Sequence, residues 1–154
     1  TFGINTVILR FGNVYGPGST HKSSVVAKFI KNVINDIPCE IFGDGKQTRD
    51  FIYIDDLVNA IFKASIFQKG GEIFQIASGK ELTISELAGK LKIIFDELGY
   101  KMEITFSDIR AGDVLRNYSD TTKASNILGW SVCTELESGL KKTISNFINN
   151  DLII

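Results

Sequence analysis

Residues 41–56 read Ile41-Phe42-Gly43-Asp44-Gly45-Lys46-Gln47-Thr48-Arg49-Asp50-Phe51-Ile52-Tyr53-Ile54-Asp55-Asp56. This stretch decides the fold, because an apolar run ends at an aromatic residue, a glycine-rich turn follows, and a second strand-like run leads into an acidic helix start. Glycines at 43 and 45 let the backbone approach a flat ligand. Arg49 offers a planar fork of donors that fits two oxygens of a phosphate or carboxylate. The stretch therefore predicts a ligand-facing turn. The alternative is a surface hairpin in which Arg49 pairs with Asp50 or Asp44.

Composition limits the classes of function. The 154 residues are 44% hydrophobic and 23% charged, which indicates about one soluble globular domain with a real core. The net charge of −1 gives no general attraction to nucleic acid or to an acidic membrane surface, so neither is an expected partner. Two distant cysteines, Cys39 and Cys133, and one histidine, His21, support neither a disulfide framework nor a zinc site. A reducing, cytoplasmic setting is expected, and no apolar run reaches membrane-spanning length.

Strand-like and helix-like patterns alternate along the chain, which predicts an α/β fold. The predicted strands are Thr6–Phe11, Cys39–Phe42, a run between Arg49 and Asp55, Glu72–Ala77 and Met102–Phe106, and the first is expected to be parallel and covered on both faces. The first predicted helix is Ser23–Asn35, capped by Ser23 or Ser24, and the second runs from Asp55 or Asp56 to about Phe67. The third begins with the capping box Thr83 to Glu86 and ends near Gly99. A short helix from Asp120 to Gly129 follows, and the last begins at Thr134 to Glu137 and ends near Asn149. The apolar tail 152–154 is expected to pack against something outside this sequence.

Polar residues follow two of the predicted strands. Gly12 to Gly18 are expected to form a turn after the first strand, where Asn13 would meet a ligand or bond its own turn backbone. Arg110, Asp113 and Arg116 lie in a second polar loop, at residues 109–117. No complete G-x-G-x-x-G or P-loop is present, because the nearest candidate, Gly16 to His21, lacks the third glycine and contains Pro17. The sequence also shows no nucleophile-and-base arrangement.

Four motifs in order cover nearly the whole chain: Leu9-Arg10-Phe11-Gly12-Asn13-Val14-Tyr15-Gly16-Pro17, then residues 41–56, then Arg110-Ala111-Gly112-Asp113, then Ala124-Ser125-Asn126-Ile127-Leu128-Gly129-Trp130. Together they resemble the nucleotide-sugar epimerases and dehydratases, which are extended short-chain dehydrogenase/reductases. The resemblance implies the C-terminal, substrate-binding half of an extended Rossmann-type epimerase, with the last parallel strands of its sheet. It also implies NAD as cofactor, bound mainly by an N-terminal Rossmann half that would lie upstream of this chain.

The same resemblance implies roles for five residues. Asn13 should contact the diphosphate or the sugar, and Phe42 should lie against the base beside the backbone of Glu40 and Ile41. Arg49 and Arg110 should bind the diphosphate, and Asp113 should accept hydrogen bonds from the ribose hydroxyls. The partner is then a nucleoside diphosphate sugar.

The family's catalytic Tyr-x-x-x-Lys pair has no counterpart here. The tyrosines at 15, 53, 100 and 118 are followed four positions later by Ser19, Leu57, Ile104 and Thr122. The chain alone is therefore expected to be inactive and to hold the substrate for an NAD-dependent epimerase, with 4-epimerisation of a UDP-sugar as the expected reaction. Dehydration or decarboxylation within the family stays open, as does an inactive module that binds nucleotide-sugars or a protein. Homodimer formation through an exposed sheet edge also stays open.

Overall fold

Strands and helices alternate along residues 3–151, the part of the chain that the computed structural model describes, with side chains described for residues 3–149. The predicted role of the tail 152–154 lies outside these residues. The strands are β1 (Val7–Phe11), β2 (Asn13–Tyr15), β3 (Cys39–Phe42), β4 (Thr48–Arg49), β5 (Phe51–Tyr53), β6 (Glu72–Ile76), β7 (Leu82–Thr83) and β8 (Ile104–Ser107). The helices are α1 (Val25–Ile34), α2 (Ile54–Ser65), α3 (Ile84–Glu97) and α4 (Leu136–Asp151), with a short π-helical turn at Ala124–Leu128.

Three of the four strand pairs in this region are parallel. Strand β1 pairs with β6, β2 with β5, and β3 with β8, whereas β4 and β7 form a short antiparallel pair. Helices connect the parallel partners, as the chain geometry of parallel strands requires. The predicted α/β fold with parallel strands is confirmed.

Strand β2 lies where the sequence predicts a turn, and that part of the prediction is wrong. The chain changes partners at Gly12, since the Gly12 N–H donates to the Ile76 carbonyl at 3.0 Å and the Asn13 N–H donates to the Asp50 carbonyl at 2.7 Å. A Cβ on Gly12 would lie 2.8 Å from the Asp50 carbonyl oxygen. Glycine at this position therefore lets β1 continue into β2 without a reversal.

One face of the β1–β6 pair is open to solvent, which corrects the prediction that β1 is covered on both faces. Ile8 lies opposite Ile73 in the register, and the two side chains are 49% and 46% exposed. Phe74 and Ile76, on the other face, are fully buried. The continuous apolar run indicated a strand that can be covered on both sides, but the described residues cover only one.

Helix α2 begins with Tyr53 at its N-cap position, two residues before Asp55 and three before Asp56, the predicted caps. Asp55 and Asp56 lie inside the first turn, so neither is the cap. Asp56 instead accepts from the backbone N–H groups of Cys133 and Thr134, both at 3.0 Å. Its carbonyl oxygen accepts from Trp130 Nε1 at 2.9 Å. This carboxylate therefore ties the segment before α4 to the start of α2.

Other helix ends differ less from the predictions. Ser24 occupies the N-cap position of α1 without a side-chain cap bond, and α3 has the predicted capping box between Thr83 and Glu86. Gly129, with φ of 63°, ends the π-helical turn in the left-handed conformation. Among residues 3–151, no helix combines the length and the apolar composition that crossing a membrane needs.

Buried side chains form two clusters. The larger one packs α1, α3 and α4 around Ile41, Phe51 and Tyr53. The smaller one packs α2 and Trp130 against Ile52, Phe74 and Ile76. Strand β5 contributes to both clusters, so the polar turn that precedes it is held between them.

Candidate functional site

The five residues assigned from the sequence line one cavity of about 500 Å³: Asn13, Phe42, Arg49, Arg110 and Asp113. They come from separate parts of the fold. Asn13 begins β2, Phe42 ends β3, Arg49 ends β4, and the other two lie in the loop after β8. Helix α1 supplies another wall through Val25, Lys28 and Phe29. The structure therefore brings all five residues together at one cavity. Their role in ligand binding stays a prediction.

Arg49 is bound to Asp113, a partner that the sequence did not predict. Arg49 Nη2 donates to Asp113 Oδ1, while Nη1 donates to the carbonyl oxygens of Thr48 at 2.7 Å and Val114 at 2.5 Å. Both charged side chains are largely shielded, at 18% and 22% exposed. A charge-assisted bond between partly buried groups is stronger and shorter than a neutral one. Arg49 therefore fixes the position of the loop as well as facing the cavity.

The predicted alternative for Arg49, a pair with Asp50 or Asp44, is wrong. Asp44 is 2.8 Å from Lys46 Nζ. Asp50 is fully buried and accepts from the Ser78 N–H and hydroxyl, both at 2.7 Å, and from the N–H groups of Gly79 at 3.0 Å and Ser119 at 3.2 Å. Backbone donors thus satisfy this carboxylate.

The ring of Phe42 lies near two cations. The guanidinium carbon of Arg110 is 6.0 Å from the ring centroid, and Lys28 Nζ is 5.7 Å from it. Lys28 was not predicted as a site residue, because a lysine at this position is typical of the surface of any amphipathic helix. A second cavity, of about 280 Å³, shares Phe42, Arg110 and Asp113 with the first. The aromatic ring therefore has two cationic groups within 6.0 Å of its centroid.

Asn13 does not bond its own turn. Its side-chain Nδ2 donates to the Asp50 carbonyl oxygen at 3.2 Å, across the β2–β5 pair. That oxygen also accepts the Asn13 backbone N–H. The amide side chain is thus anchored through its donor group to the strand that follows Arg49.

The loop after β8 is positioned by contacts far apart in sequence. Phe42 lies opposite Ser107 in the register, and the Gly43 N–H donates to the Ser107 carbonyl at 2.9 Å. Arg116 donates to both oxygens of Glu81 at 2.8 Å, and the Thr48 hydroxyl donates to the same carboxylate at 2.9 Å. The hydrogen bond from Arg116 is the main reason that the pKa of Glu81 lies below its ordinary value. Glu81 was missed because nothing in its local sequence marks it.

The charges at the 500 Å³ cavity favour an anion. Its lining carries three cationic side chains and two carboxylates: Lys28, Arg49, Arg110, Glu40 and Asp113. Asp113 is bonded to Arg49 and Glu40 lies 3.9 Å from Lys28, so the lining carries one net positive charge, with Arg110 as the cation outside these two pairs. A local excess of positive charge attracts phosphate even though the whole chain has a net charge of −1.

A dinucleotide does not fit the described residues alone. Its pyrophosphate needs a glycine-rich turn between a strand and a helix, where backbone N–H groups point at the phosphates. Between β2 and α1 the chain contains Gly16 and Gly18, but Pro17 between them has no N–H to donate. The direct connections from β5 to α2 and from β7 to α3 contain no glycine. No residue of this chain is therefore assigned to NAD.

Comparison with known proteins finds relatives that share one family. The model of the NAD dependent epimerase/dehydratase family matches residues 1–77. The UDP-glucose 4-epimerase of Mycolicibacterium smegmatis is 35% identical over 139 residues, which are 89% of this chain and 44% of that protein. The dTDP-glucose 4,6-dehydratase 1 of Escherichia coli is 29% identical in an alignment of 157 positions that covers 97% of this chain and 43% of that protein.

A solved structure agrees with these sequence matches. The UDP-glucose 4-epimerase of Thermotoga maritima, crystallised with UDP-glucose, superposes with a TM-score of 0.88 at 36% identity over 97% of this chain and 48% of that one. The chain spans about half the length of the curated relatives it matches. The matching fold and the identity over almost the whole chain agree with the sequence motifs, so the chain belongs to the NAD-dependent epimerase/dehydratase family.

Proposed function

We propose that this chain is the substrate-holding half of an NAD-dependent nucleotide-sugar epimerase and that its 500 Å³ cavity binds a nucleoside diphosphate sugar. The observation that carries the proposal is the meeting of Asn13, Phe42, Arg49, Arg110 and Asp113 in that one cavity. The five residues come from four separate segments of the chain, so local sequence alone does not bring them together. Their chemistry matches the parts of one ligand.

Each group has a physical reason for its proposed contact. Arg49 and Arg110 neutralise the diphosphate and present donors in fixed directions. Asp113, held by Arg49, keeps acceptor capacity for the ribose hydroxyls, since a carboxylate has about four lone-pair sites. Phe42 supplies a flat apolar surface for the base. Asn13, anchored through Nδ2, presents its amide to the diphosphate or the sugar.

We propose 4-epimerisation of a UDP-sugar as the reaction of the whole protein. Support comes from the higher identity to UDP-glucose 4-epimerases, at 35% and 36%, than to the Escherichia coli dTDP-glucose 4,6-dehydratase, at 29%. Dehydration of a dTDP-sugar is the second candidate, and the presence of dehydratases among the relatives favours it over decarboxylation. In either case this chain contributes substrate binding and orientation.

The cofactor and the catalytic pair are proposed to lie on an upstream half that packs on the open face of β1 and β6. That face presents Ile8 and Ile73, each about half exposed. Apolar side chains side by side on a sheet are stabilised when a second layer covers them. The isolated chain is then inactive with UDP-glucose and NAD, and measurable turnover would contradict this assignment. An upstream gene sequence without G-x-x-G-x-x-G and Tyr-x-x-x-Lys would instead favour an inactive binding module.

Binding of UDP to the isolated chain tests the proposal. NMR titration of the ¹⁵N-labelled chain measures affinity even in the millimolar range. Arg110→Ala should weaken UDP binding about tenfold or more, the effect of losing a charged hydrogen-bond partner. Lys92→Ala is the control, because it removes a positive charge from an exposed position on α3 that does not line the cavity. Equal affinities for the two variants would contradict the proposed site.

A further inference from the structure

The ammonium group of Lys28 lies at the Phe42 end of the cavity. It is 5.7 Å from the centroid of the Phe42 ring and 3.9 Å from Glu40 Oε2. A separation of 3.9 Å is too long for a hydrogen bond, and 5.7 Å is near the outer limit of a cation–π contact. Electrostatic attraction to Glu40 and to the Phe42 ring therefore keeps this ammonium near the cavity, while its three N–H donors form no hydrogen bond with either of them.

Lys31, one turn further along α1, shows the contrast. Its Nζ donates to the Lys22 carbonyl oxygen at 2.7 Å, so that side chain is engaged in tying the preceding loop to the helix. Lys31 does not line the cavity, whereas Lys28 does, together with its neighbours Val25 and Phe29. Within α1, Lys28 is thus the cation directed at the proposed ligand.

We propose that Lys28 is a base-reading residue that donates a hydrogen bond to a carbonyl oxygen of the nucleobase lying against Phe42. The inference rests on the proposed function, because it assumes that a nucleoside diphosphate occupies the cavity. A base on the Phe42 ring replaces the long cation–π contact and brings its edge towards the ammonium. Glu40 keeps the cation at that edge when the site is empty.

The chemistry selects a keto base. Uracil and thymine carry two exocyclic carbonyl oxygens, both acceptors, whereas adenine carries none and offers a lysine donor only its ring nitrogens. The flexible lysine stem allows the ammonium to follow the base edge. The competing role is a contact to phosphate, which Lys28 could make as a point charge.

The test compares two probes that both carry a diphosphate: UDP, and inorganic pyrophosphate, which lacks the ribose and the base. NMR titration of the ¹⁵N-labelled chain gives Kd for each. Lys28→Met, which keeps the stem and removes the charge, should raise the Kd for UDP about tenfold, as for one charge-assisted bond in a partly open site. The Kd for pyrophosphate should change less than about twofold. Arg110→Ala should weaken both probes.

Two further variants act as controls. Lys92→Met removes a charge from an exposed position on α3 that does not line the cavity and should leave both Kd values unchanged. Lys28→Arg keeps a cationic donor and should restore most of the UDP affinity. Because the Lys28 side chain is 43% exposed, its replacement should not disturb folding, which the dispersion of the spectrum checks.

Three outcomes would overturn the inference, and they are distinguishable. Equal UDP affinity in Lys28→Met and the unmodified chain removes Lys28 from the site and leaves the proposed function standing. Equal losses for UDP and pyrophosphate show that Lys28 acts on the phosphates and not on the base. Failure of the unmodified chain to bind UDP overturns the proposed function and this inference together.

Discussion

Arg49 at the end of β4 donates to the carboxylate of Asp113, 64 residues later in the chain, and the two side chains form one wall of the cavity. Arg49 also holds the carbonyl oxygen of Val114, the next residue in that loop. The arginine proposed for the diphosphate and the carboxylate proposed for the ribose are therefore one bonded unit. Each residue fixes the geometry of the other before a ligand arrives, which lowers the ordering cost of binding.

Replacing Arg49 with alanine should lower the affinity for UDP by about 2 kcal/mol, because a charged hydrogen-bond partner is lost. Asp113→Asn should cost less, since the amide keeps one acceptor oxygen. The double variant should cost less than the sum of the two, as expected for residues in direct contact. Calorimetric titration of the four proteins measures the cycle, and strictly additive losses would show that the pair does not act as a unit.

Asp50→Ala should lower the free energy of unfolding by about 3 kcal/mol, because it leaves three part-buried backbone N–H groups without their acceptor. Those donors belong to Ser78, Gly79 and Ser119. Ser78→Ala is the matched control: it removes the hydroxyl bond to Asp50 and the bond that the hydroxyl accepts from the Lys80 N–H, at a cost of about 1 kcal/mol. Urea unfolding followed by circular dichroism gives both values. A loss for Asp50→Ala no larger than the control's would contradict the assigned network.

The capping box of α3 should make stability depend on pH. The N–H and hydroxyl of Thr83 donate to the Glu86 carboxylate at 2.9 and 2.8 Å, and these bonds hold the pKa of Glu86 below its ordinary value of 4.5. A lowered folded-state pKa adds stability that is complete above about pH 4.5 and lost as pH falls through the lowered pKa.

Thr83→Ala should therefore lower the free energy of unfolding by about 1 kcal/mol at pH 7, and by less in acid. Glu86→Gln should remove this contribution to the pH dependence, since the amide does not titrate. Chemical unfolding at a series of pH values measures both effects. A constant difference between Thr83→Ala and the unmodified chain from neutral pH into acid would count against the assignment.

The two cysteines should react at very different rates. Cys39 is fully buried, and burial raises the pKa of its thiol to about 11, although nearby Lys28 opposes this shift. Cys133 is exposed. Because the thiolate is the reactive form, iodoacetamide at about pH 8 should label Cys133 first and Cys39 only after unfolding. Mass spectrometry of tryptic peptides separates the two sites, and equal labelling of the folded chain would show that Cys39 is accessible.

Features set by local sequence could be predicted, whereas those set by long-range contacts could not. The capping box of α3 follows from residues three positions apart, and the main helices follow from apolar periodicity. The Arg49–Asp113 bond and the role of Asp56 as an acceptor for residues 133 and 134 depend on where distant segments meet. Strand β2 was missed because its ladder with β5 depends on the change of partner at Gly12.

The candidate site was predictable only through family motifs. Composition and spacing left Arg49 as either a ligand residue or a surface pair, and they gave no reason to join Phe42 with Arg110. The motifs supplied that grouping, and the structure places the five residues around one cavity. Neither composition and spacing nor the family motifs indicated Lys28 or Glu81, because their contacts arise from the packing of α1 and from the loop after β8.

A crystal structure of the chain soaked with UDP tests the central claim most directly. The account predicts the diphosphate between the guanidinium groups of Arg49 and Arg110, with the base against the ring of Phe42. Well-defined UDP elsewhere, for example in the cavity of about 230 Å³ lined by Tyr15, Lys80 and Cys133, with the Arg49 cavity empty, would contradict it.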